Sequence, residues 1–137
     1  MDGQAKKCVM IIREDLPKGL AANTAALLGI TLGKRFPEIV GEDLTDAAGK
    51  THPGISRLPV PILRGSGAAL TALWEKLSQP EFSQVTAVDF SRLAQGCRDY
   101  GEYREKLAAA EDPGYTGIAI FGPKKSINYL SGNLPLL

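Results

Sequence analysis

The sequence predicts a single α/β domain with three layers, in which helices cover both faces of a four-stranded mixed, mostly parallel sheet. Short runs rich in Val and Ile alternate with helical segments along the chain, which is typical of α/β folds. The chain has 137 residues and a hydrophobic fraction of 44%, which is enough for one sizeable core and too little for two. We therefore expect residues 1–137 to form one domain.

The first predicted elements are a buried strand and a helix. Cys8–Ile12 is an apolar run between charged residues, which is typical of a strand buried on both faces. A helix is expected from about Leu20 to the break at Phe36–Pro37. Small residues at four-residue spacing predict that its backbone lies close against the sheet, and this explains two mid-helix glycines that cost about 1 kcal/mol each. These small residues are Ala21, Ala25, Gly29 and Gly33.

A long loop and a second strand–helix pair follow. Residues Pro37–Arg57 are rich in Gly, Pro and polar side chains, and a loop of this length is usually functional or disordered. Leu58–Leu63 predicts a strand at the edge of the sheet, because each of its prolines removes a ladder donor. Ser66 is a candidate N-cap for the next helix, and Trp74 is the simplest core anchor on it. The apolar face of this helix comprises Ala69, Leu70, Leu73, Trp74 and Leu77.

The last third of the chain predicts two more strands. Val85–Val88 is a strand candidate that stops at Asp89. Tyr100–Ala110 carries charge pairs at helical spacing. Tyr115–Gly122 predicts the fourth strand, and Lys124–Leu130 a short helix before the apolar tail "SGNLPLL".

Composition and charge exclude several classes of protein. Sixteen Lys and Arg against fifteen Asp and Glu give a formal charge of +1, so no global field favours nucleic acid or an anionic membrane. No apolar run suits a signal peptide or a membrane span, which predicts a cytoplasmic protein. Cys8 and Cys97 are far apart without Cys or His at metal-ligand spacing, which predicts two reduced thiols and no structural zinc site.

The turn between the first strand and the first helix is a candidate binding site. A helix start with unpaired N–H groups can hold an anion, but the glycine-rich phosphate-binding motifs are absent. Asp15, Lys18 and Asn23 lie near this junction, at the sheet edge where open α/β folds usually place their ligands. A helix-start amide and a solvated lysine are the alternative interpretations.

His52, in the long loop, is the single histidine of the chain. Its pKa range suits a general acid or base near neutral pH, and we expect the loop to carry it to the rim of the crevice, with Asp46 orienting it. An exposed loop histidine is the alternative. One histidine argues against a transition-metal site, although an oxygen-rich set of Asp43, Asp46, His52 and Asp89 is left open. No metal or other cofactor is predicted.

Two segments resemble the type II peptidyl-tRNA hydrolases. "CVMIIREDLPKGLAAN" is similar to that family's first strand, Arg-x-Asp-Leu turn and helix start, and "GIAIFGPKKSINYLSGNLPLL" to its C-terminal strand, Gly-Pro turn and tail. The whole chain more closely resembles a group of uncharacterised bacterial proteins that share the hydrolase fold, with Asn after the Ala-Ala pair and a loop of the "DLTDAAGKTHPGI" type. These resemblances imply a peptidyl-tRNA hydrolase II-like fold and a possible homodimer.

The resemblance carries over only some hydrolase residues. It places the family's lysine-rich loop at Lys18 and Gly19, its helix-one histidine at Ala26, and its aspartate after the third strand at Asp89. The segment after that aspartate is replaced by "FSRLAQGCRDYGEYREK". Because each lost oxyanion donor costs about a hundredfold in rate, most of the ester-handling machinery is missing.

Two functions follow as hypotheses. In the first, the crevice has lost catalysis and holds a small polar molecule or a protein segment through Lys18, Asn23 and the long loop; Ala26 favours this one. In the second, the chain hydrolyses an ester or amide such as peptidyl-tRNA, with Lys18 stabilising charge, Asp89 orienting and His52 acting as base. Support for tRNA binding is thin, because the basic residues form only short pairs. The apolar tail would seal a dimer interface or fold back on its own core.

Overall fold

The computed structural model describes residues 5–137. These residues form a four-stranded sheet, a separate two-stranded hairpin and five α-helices. In chain order the elements are β1 (Lys6–Arg13), α1 (Lys18–Arg35), β2 (Leu44–Thr45), β3 (Thr51–His52), β4 (Ile62–Gly65), α2 (Gly67–Leu77), β5 (Thr86–Ser91), α3 (Arg92–Gln95), α4 (Tyr100–Ala109), β6 (Tyr115–Pro123) and α5 (Lys124–Ser131).

The strand order in the main sheet is β4-β1-β6-β5. β1 pairs in parallel with β4, and β6 is antiparallel to both of its neighbours. The predicted mixed sheet is confirmed. The expectation that most neighbouring strands pair in parallel is wrong, because one ladder is parallel and two are antiparallel. Although β1, β4 and β5 point the same way, β6 is inserted between β1 and β5 in the opposite direction, so two of the three ladders are antiparallel.

Helices cover both faces of the sheet. α1 packs against one face, where its apolar residues join Cys8, Met10 and Ile12 in a buried cluster. α2 and α5 pack against the other face, whose cluster includes Val9 and Ile11. β1 therefore buries both of its faces, as its continuous apolar sequence predicts. Among residues 5–137, no helix is both long and apolar enough to cross a membrane.

α1 and β6 approach closely at Gly117. A Cβ atom on Gly117 would lie 2.5 Å from Thr24 Cγ2 and 3.1 Å from Leu28 Cδ1. The expectation that glycines of the helix permit this approach is wrong, because a Cβ on Gly33 would meet no atom within 4 Å and one on Gly29 would make an ordinary contact. The buried residues of α1 are Ala21, Thr24, Leu28 and Leu32. The inward face is thus rotated by about one residue from the predicted ridge, and the small residue is on the strand.

The segment predicted as a long loop is ordered into a short 3-10 helix, Pro37–Ile39, and the β2–β3 hairpin. Its two ends are joined where the Gly41 N–H donates to the Ile55 carbonyl over 2.8 Å. At the tip, Gly49 has φ +85, and its N–H bonds the Asp46 carbonyl over 3.0 Å. A turn that ends on a left-handed glycine is a common three-residue hairpin connection. Sequence reasoning missed this hairpin because its strands are two residues long.

Several element bounds also differ from the prediction. α1 begins at Lys18, two residues earlier than expected. β5 continues to Ser91, so Asp89 lies inside the strand and not after it. α3, a single turn capped by Ser91 (Oγ to Ala94 N, 3.1 Å), was not predicted. The predicted cap of α2 is confirmed, since the Ala69 N–H donates to Ser66 Oγ over 3.0 Å.

The apolar C-terminal tail folds back on its own chain. The Arg64 N–H donates to the Pro135 carbonyl over 2.9 Å, and the Leu137 N–H donates to the Ile62 carbonyl over 3.0 Å. Leu134 packs against the buried cluster beneath α2 and α5. The tail was expected either to seal a dimer interface or to fold back on its own core. In the structure it folds back and covers the outer edge of β4.

Candidate functional site

The residues predicted around the first turn lie at the sheet edge where β1 ends. The Asp15 carboxylate accepts a 2.8 Å bond from Arg13 Nε, and this ion pair is partly exposed. Lys18 and Asn23 are exposed on the first two turns of α1. Among residues 5–137, neither side chain has a hydrogen bond or ion pair, and the turn is open to solvent.

The predicted pair of His52 and Asp46 closes the hairpin tip. His52 Nε2 lies 2.7 Å from Asp46 Oδ2, while Asp46 Oδ1 accepts backbone N–H bonds from Ala48 over 2.9 Å and Lys50 over 3.1 Å. The hydrogen bond from His52, and then the one from the Lys50 backbone, lowers the pKa of Asp46. Asp46 and His52 contact each other, and the pair stabilises a turn and faces solvent.

The structure does not bring this pair to the first turn. The base of the hairpin lies beside the start of β1, where Ile39 and Arg57 line a cavity of about 450 Å³ together with Lys6 and Gln84. Lys18 is at the other end of α1, and an 18-residue helix is about 27 Å long. Among the described residues, no hydrogen bond or ion pair links His52 or Asp46 to the first turn, so the predicted composite site is not assembled.

A cavity of about 510 Å³ lies instead along the outer edge of β5. Its walls are α1 on one side and the segment from α3 into α4 on the other. Asp89 is the predicted site residue that lines it. The walls include Leu27, Ile30 and Arg35 of α1, Ala87, Val88, Asp89 and Phe90 of β5, and Cys97, Arg98, Tyr100 and Tyr103.

Asp89 is the chemically distinctive group of this cavity. It is half-buried, and burial raises the pKa of its carboxyl, an effect that a hydrogen bond from its own backbone N–H partly offsets. Among residues 5–137, no other side chain bonds to it. Burial, and next the charge of Asp89, raises the pKa of Tyr103, so the two groups share one environment. A half-buried carboxyl without a partner can hold a proton or accept a hydrogen bond from a ligand.

The α4 wall was missed by sequence reasoning. Asp99 caps α4 by accepting a 2.8 Å bond from the Glu102 N–H, and Arg98 Nε pairs with Glu102 over 3.2 Å. α4 buries none of its residues, and Tyr100 is 73% exposed although it lines the cavity with Tyr103. Two tyrosines at three-residue spacing were the available signal, and helical charge pairs on the same segment obscured it.

Within the part of the chain that the structure describes, neither cysteine forms a hydrogen bond with a base or a cationic side chain. Cys8 is buried, and burial raises the pKa of its thiol to about 11, so the thiolate is scarce at neutral pH. Cys97 lies in the cavity wall, where its Sγ donates to the Leu93 carbonyl over 3.2 Å. Within residues 5–137, no three His, Cys, Asp or Glu side chains are grouped to hold a metal ion.

Replacing Asp89 with Asn is expected to raise the melting temperature at pH 7. The folded state raises the pKa of Asp89, so its deprotonation costs folding free energy as the pH rises from the ordinary aspartate pKa through the raised one. The gain should vanish below the ordinary pKa. Thermal unfolding at several pH values tests this. Asp15→Asn, at an exposed ion pair, is the control and should give no gain; equal melting curves for Asp89→Asn and wild type at every pH would contradict it.

Replacing His52 with Ala is expected to raise the pKa of Asp46 toward its usual range. His52 supplies the largest contribution that lowers this pKa. The stabilisation is present above the unfolded-state pKa and is lost as the pH falls through the lowered folded-state pKa. Carbon-13 NMR of the carboxyl group measures the titration. Lys50→Ala keeps the backbone bond and should leave the midpoint in place; an unmoved midpoint in His52→Ala would show that the 2.7 Å contact is not formed in solution.

These features define an α/β protein whose candidate site is a cavity beside an edge strand. A model of the DUF2000 family, described as a protein of unknown function, matches residues 6–137. The chain therefore belongs to the DUF2000 family. The expectation of a family without an assigned activity is confirmed, while the relationship to peptidyl-tRNA hydrolases stays a prediction.

A solved structure shares this fold. It is the protein of unknown function Atu0240 from Agrobacterium tumefaciens strain C58, with a TM-score of 0.86 and 19% sequence identity over 96% of this chain and 97% of that chain. Comparison with curated proteins gives no significant match. The likeness to Atu0240 concerns the fold alone.

Proposed function

We propose that this protein is a ligand-binding member of the peptidyl-tRNA hydrolase II fold that has lost hydrolysis, and that its ligand occupies the cavity beside β5. The cavity carries this proposal: its 510 Å³ falls in the range of small-ligand sites, which are mostly apolar with few polar groups. Leu27 and Ile30 supply apolar wall on the α1 side of β5, and the Asp89 carboxyl, on the other side of the strand, supplies the polar group. The ligand is expected to have an apolar body and one cationic or hydrogen-bond-donating group.

The positions of the hydrolase-like residues support loss of catalysis. Ala26, at the position matched to a histidine, carries no group that transfers a proton. Lys18 follows β1, whereas Asp89 is on β5, and β6 lies between these strands, which puts the two strands about 10 Å apart. His52 is on the hairpin at the other end of α1. The distance of His52 from the other two residues assigned to hydrolysis supports the loss of catalysis.

Titration with small amines tests the ligand site. We expect 2-phenylethylamine to shift the backbone NMR signals of Leu27, Ile30, Asp89 and Tyr103, and to bind at least about tenfold more tightly than 2-phenylethanol, because a hydrogen bond to a charged group contributes about 1.5–3 kcal/mol. Asp89→Asn should reduce amine binding to the level of the alcohol. Asp15→Asn is the matched control and should leave amine binding unchanged.

Two results would overturn the proposal. The first is that no cavity signal shifts at millimolar amine, or that Asp89→Asn binds the amine as well as wild type does. The second is release of peptide from peptidyl-tRNA by the purified protein, with the activity lost in Lys18→Ala. That result would establish the hydrolase alternative.

A further inference from the structure

The backbone groups on the outer edge of β5 can be assigned from the bonds of the neighbouring strands. The Met10 N–H donates to the Pro61 carbonyl over 3.0 Å, so Met10 faces β4. Successive residues of a strand point their backbone groups to opposite sides, so Val9 and Ile11 face β6. Their partners on β6, Ile120 and Ile118, face back toward β1.

The same alternation continues from β6 to β5. Ala119 and Gly117 face β5 and pair with Val88 and Phe90. The Thr116 hydroxyl, also on β6, donates to the Phe90 carbonyl over 3.1 Å, which agrees with this assignment. The N–H and C=O groups of Ala87 and Asp89 therefore point away from the sheet and into the cavity.

The two edges of the sheet are treated differently. The outer edge of β4 is covered by the C-terminal tail, which bonds to Arg64 and Ile62. Among residues 5–137, β5 has β6 as its one ladder partner. Proteins usually block an exposed strand edge, because it pairs readily with other chains. An edge that stays open inside a groove with apolar walls is suited to strand addition.

The cavity has a negative charge near one end of β5 and a positive charge near the other. Asp89 is near the carboxyl end of β5, whereas Arg35 is on the last turn of α1, level with the start of β5 because α1 and β5 run in opposite directions. Among the described residues, the Arg35 side chain has no hydrogen bond or ion pair. Leu27 and Ile30, 37% and 69% exposed, form the apolar wall on the α1 side.

We propose that the occupant of this cavity is an extended segment of a partner protein, which adds to β5 as an antiparallel strand and presents an apolar–basic–apolar sequence followed two residues later by an acidic residue. This inference rests on the proposed function and names the ligand class of the same site. Backbone bonds to Ala87 and Asp89 hold the segment, because antiparallel pairing allows a pair of bonds at each of these two residues. The Asp89 N–H, which bonds its own carboxylate in the free protein, then donates to a carbonyl of the segment and leaves the carboxylate to the basic side chain.

The register fixes the chemistry of each position. Residues paired across an antiparallel ladder lie on the same face, so the residue opposite Asp89 places a basic side chain beside its carboxylate. Its two neighbours lie opposite Phe90 and Val88, on the face toward α1, and contact Leu27 and Ile30. Three residues after the basic one, the segment is opposite Thr86 and reaches the level of Arg35, where a carboxylate forms an ion pair.

A synthetic hexapeptide tests the inference on the full chain. The probe is acetylated and amidated threonine-valine-lysine-valine-threonine-glutamate, with binding followed by backbone NMR shifts of Ala87, Asp89 and Ile30. A control peptide is N-methylated at the lysine and at the second threonine, which removes two of the four strand bonds and keeps every side chain. We expect the control to bind at least tenfold more weakly than the parent.

A charge exchange tests the register. Arg35→Glu should weaken binding of the parent peptide at least fivefold. A peptide with lysine in place of the glutamate should bind the Arg35→Glu variant as tightly as the parent peptide binds the wild type. Lys125→Glu, on the exposed part of α5 and outside the cavity wall, is the control and should leave binding unchanged. Arg35 is exposed at a helix end, so the variant is expected to fold.

The outcomes separate this inference from the proposed function. If phenylethylamine binds through Asp89 but the parent peptide shifts no cavity signal, or if the methylated control binds as tightly as the parent, strand addition is wrong and the small-ligand proposal stands. If neither probe binds, both fail. A concentration-dependent dimer that shifts the same β5 signals and excludes the peptide would replace the partner segment with a second copy of the chain.

Discussion

Replacement of Gly117 with valine is expected to destabilise the protein by about 3 kcal/mol or more. A Cβ atom at this position already lies 2.5 Å from Thr24 Cγ2 and 3.1 Å from Ile12 Cδ1 and Leu28 Cδ1, and all three side chains are fully buried. Inserting atoms into a packed core typically costs about 1–3 kcal/mol, and a branched side chain here would push α1 away from β6. Urea unfolding followed by Trp74 fluorescence measures the change.

Two variants make this prediction specific. Gly33→Ala adds the same Cβ to α1 where no atom lies within 4 Å, so it should stabilise the protein by up to about 1 kcal/mol through helix propensity. In a Gly117→Ala background, Thr24→Ser removes the clashing methyl group and keeps the 2.8 Å bond from the hydroxyl to the Leu20 carbonyl. It should recover part of the lost stability. A Gly117→Val protein as stable as wild type would show that α1 does not rest on β6 at this point.

The features that sequence predicted correctly depend on local chemistry. The Ser66 cap, the break after Arg35 and the apolar run of β1 are each determined by residues that are close together in the chain. The helix face was predicted less well, because a ridge of small residues and a ridge of larger buried ones differ by a single position on α1. The residue that decides between them, Gly117, is more than eighty positions away in the chain and permits the approach because it has no side chain.

The sheet order and the cavity depend on contacts that local patterns do not contain. No local signal places β6 between β1 and β5, so the antiparallel ladders could not be predicted. The cavity is made by Leu27 and Ile30 of one helix, by β5, and by tyrosines of another. Asp89 was selected through the resemblance to hydrolases, and its position inside an edge strand gives it a different setting from the one expected.

The distribution of polar groups explains why the proposed site is at β5 and not at the first turn. Asp15 is already paired with Arg13, and Asp46 is occupied by His52 and two backbone N–H groups. Asp89, in contrast, is half-buried and has no side-chain partner within residues 5–137. A buried carboxyl without a partner costs stability, and such a cost is common where a residue is retained for function.

Replacement of Gly54 with valine is expected to unfold the segment from Val40 to Arg57 and to leave the core intact. A Cβ atom on Gly54 would overlap the carbonyl group of Gly41. The two backbone segments that meet at the base of the hairpin therefore cannot keep their close contact. The bonds from the Gly41 N–H to Ile55 and from the Arg57 N–H to Ile39 should break. Hydrogen exchange at these two amides should accelerate at least about tenfold, because local opening then needs little free energy.

The core should respond weakly to the Gly54 variant, because residues 40–57 contribute no side chain to either buried cluster. We expect a change of less than about 1 kcal/mol in global unfolding, in the range of surface substitutions. Gly41→Ala, at the other side of the same close contact, is the matched control. Its Cβ would lie 3.5 Å from the Ile55 carbonyl oxygen, an ordinary contact, and its N–H bond is kept. Fast exchange in Gly41→Ala but slow exchange in Gly54→Val would show that Gly41, and not Gly54, is the position that cannot carry a side chain. Loss of the whole fold in Gly54→Val would mean that the hairpin segment supports the sheet itself.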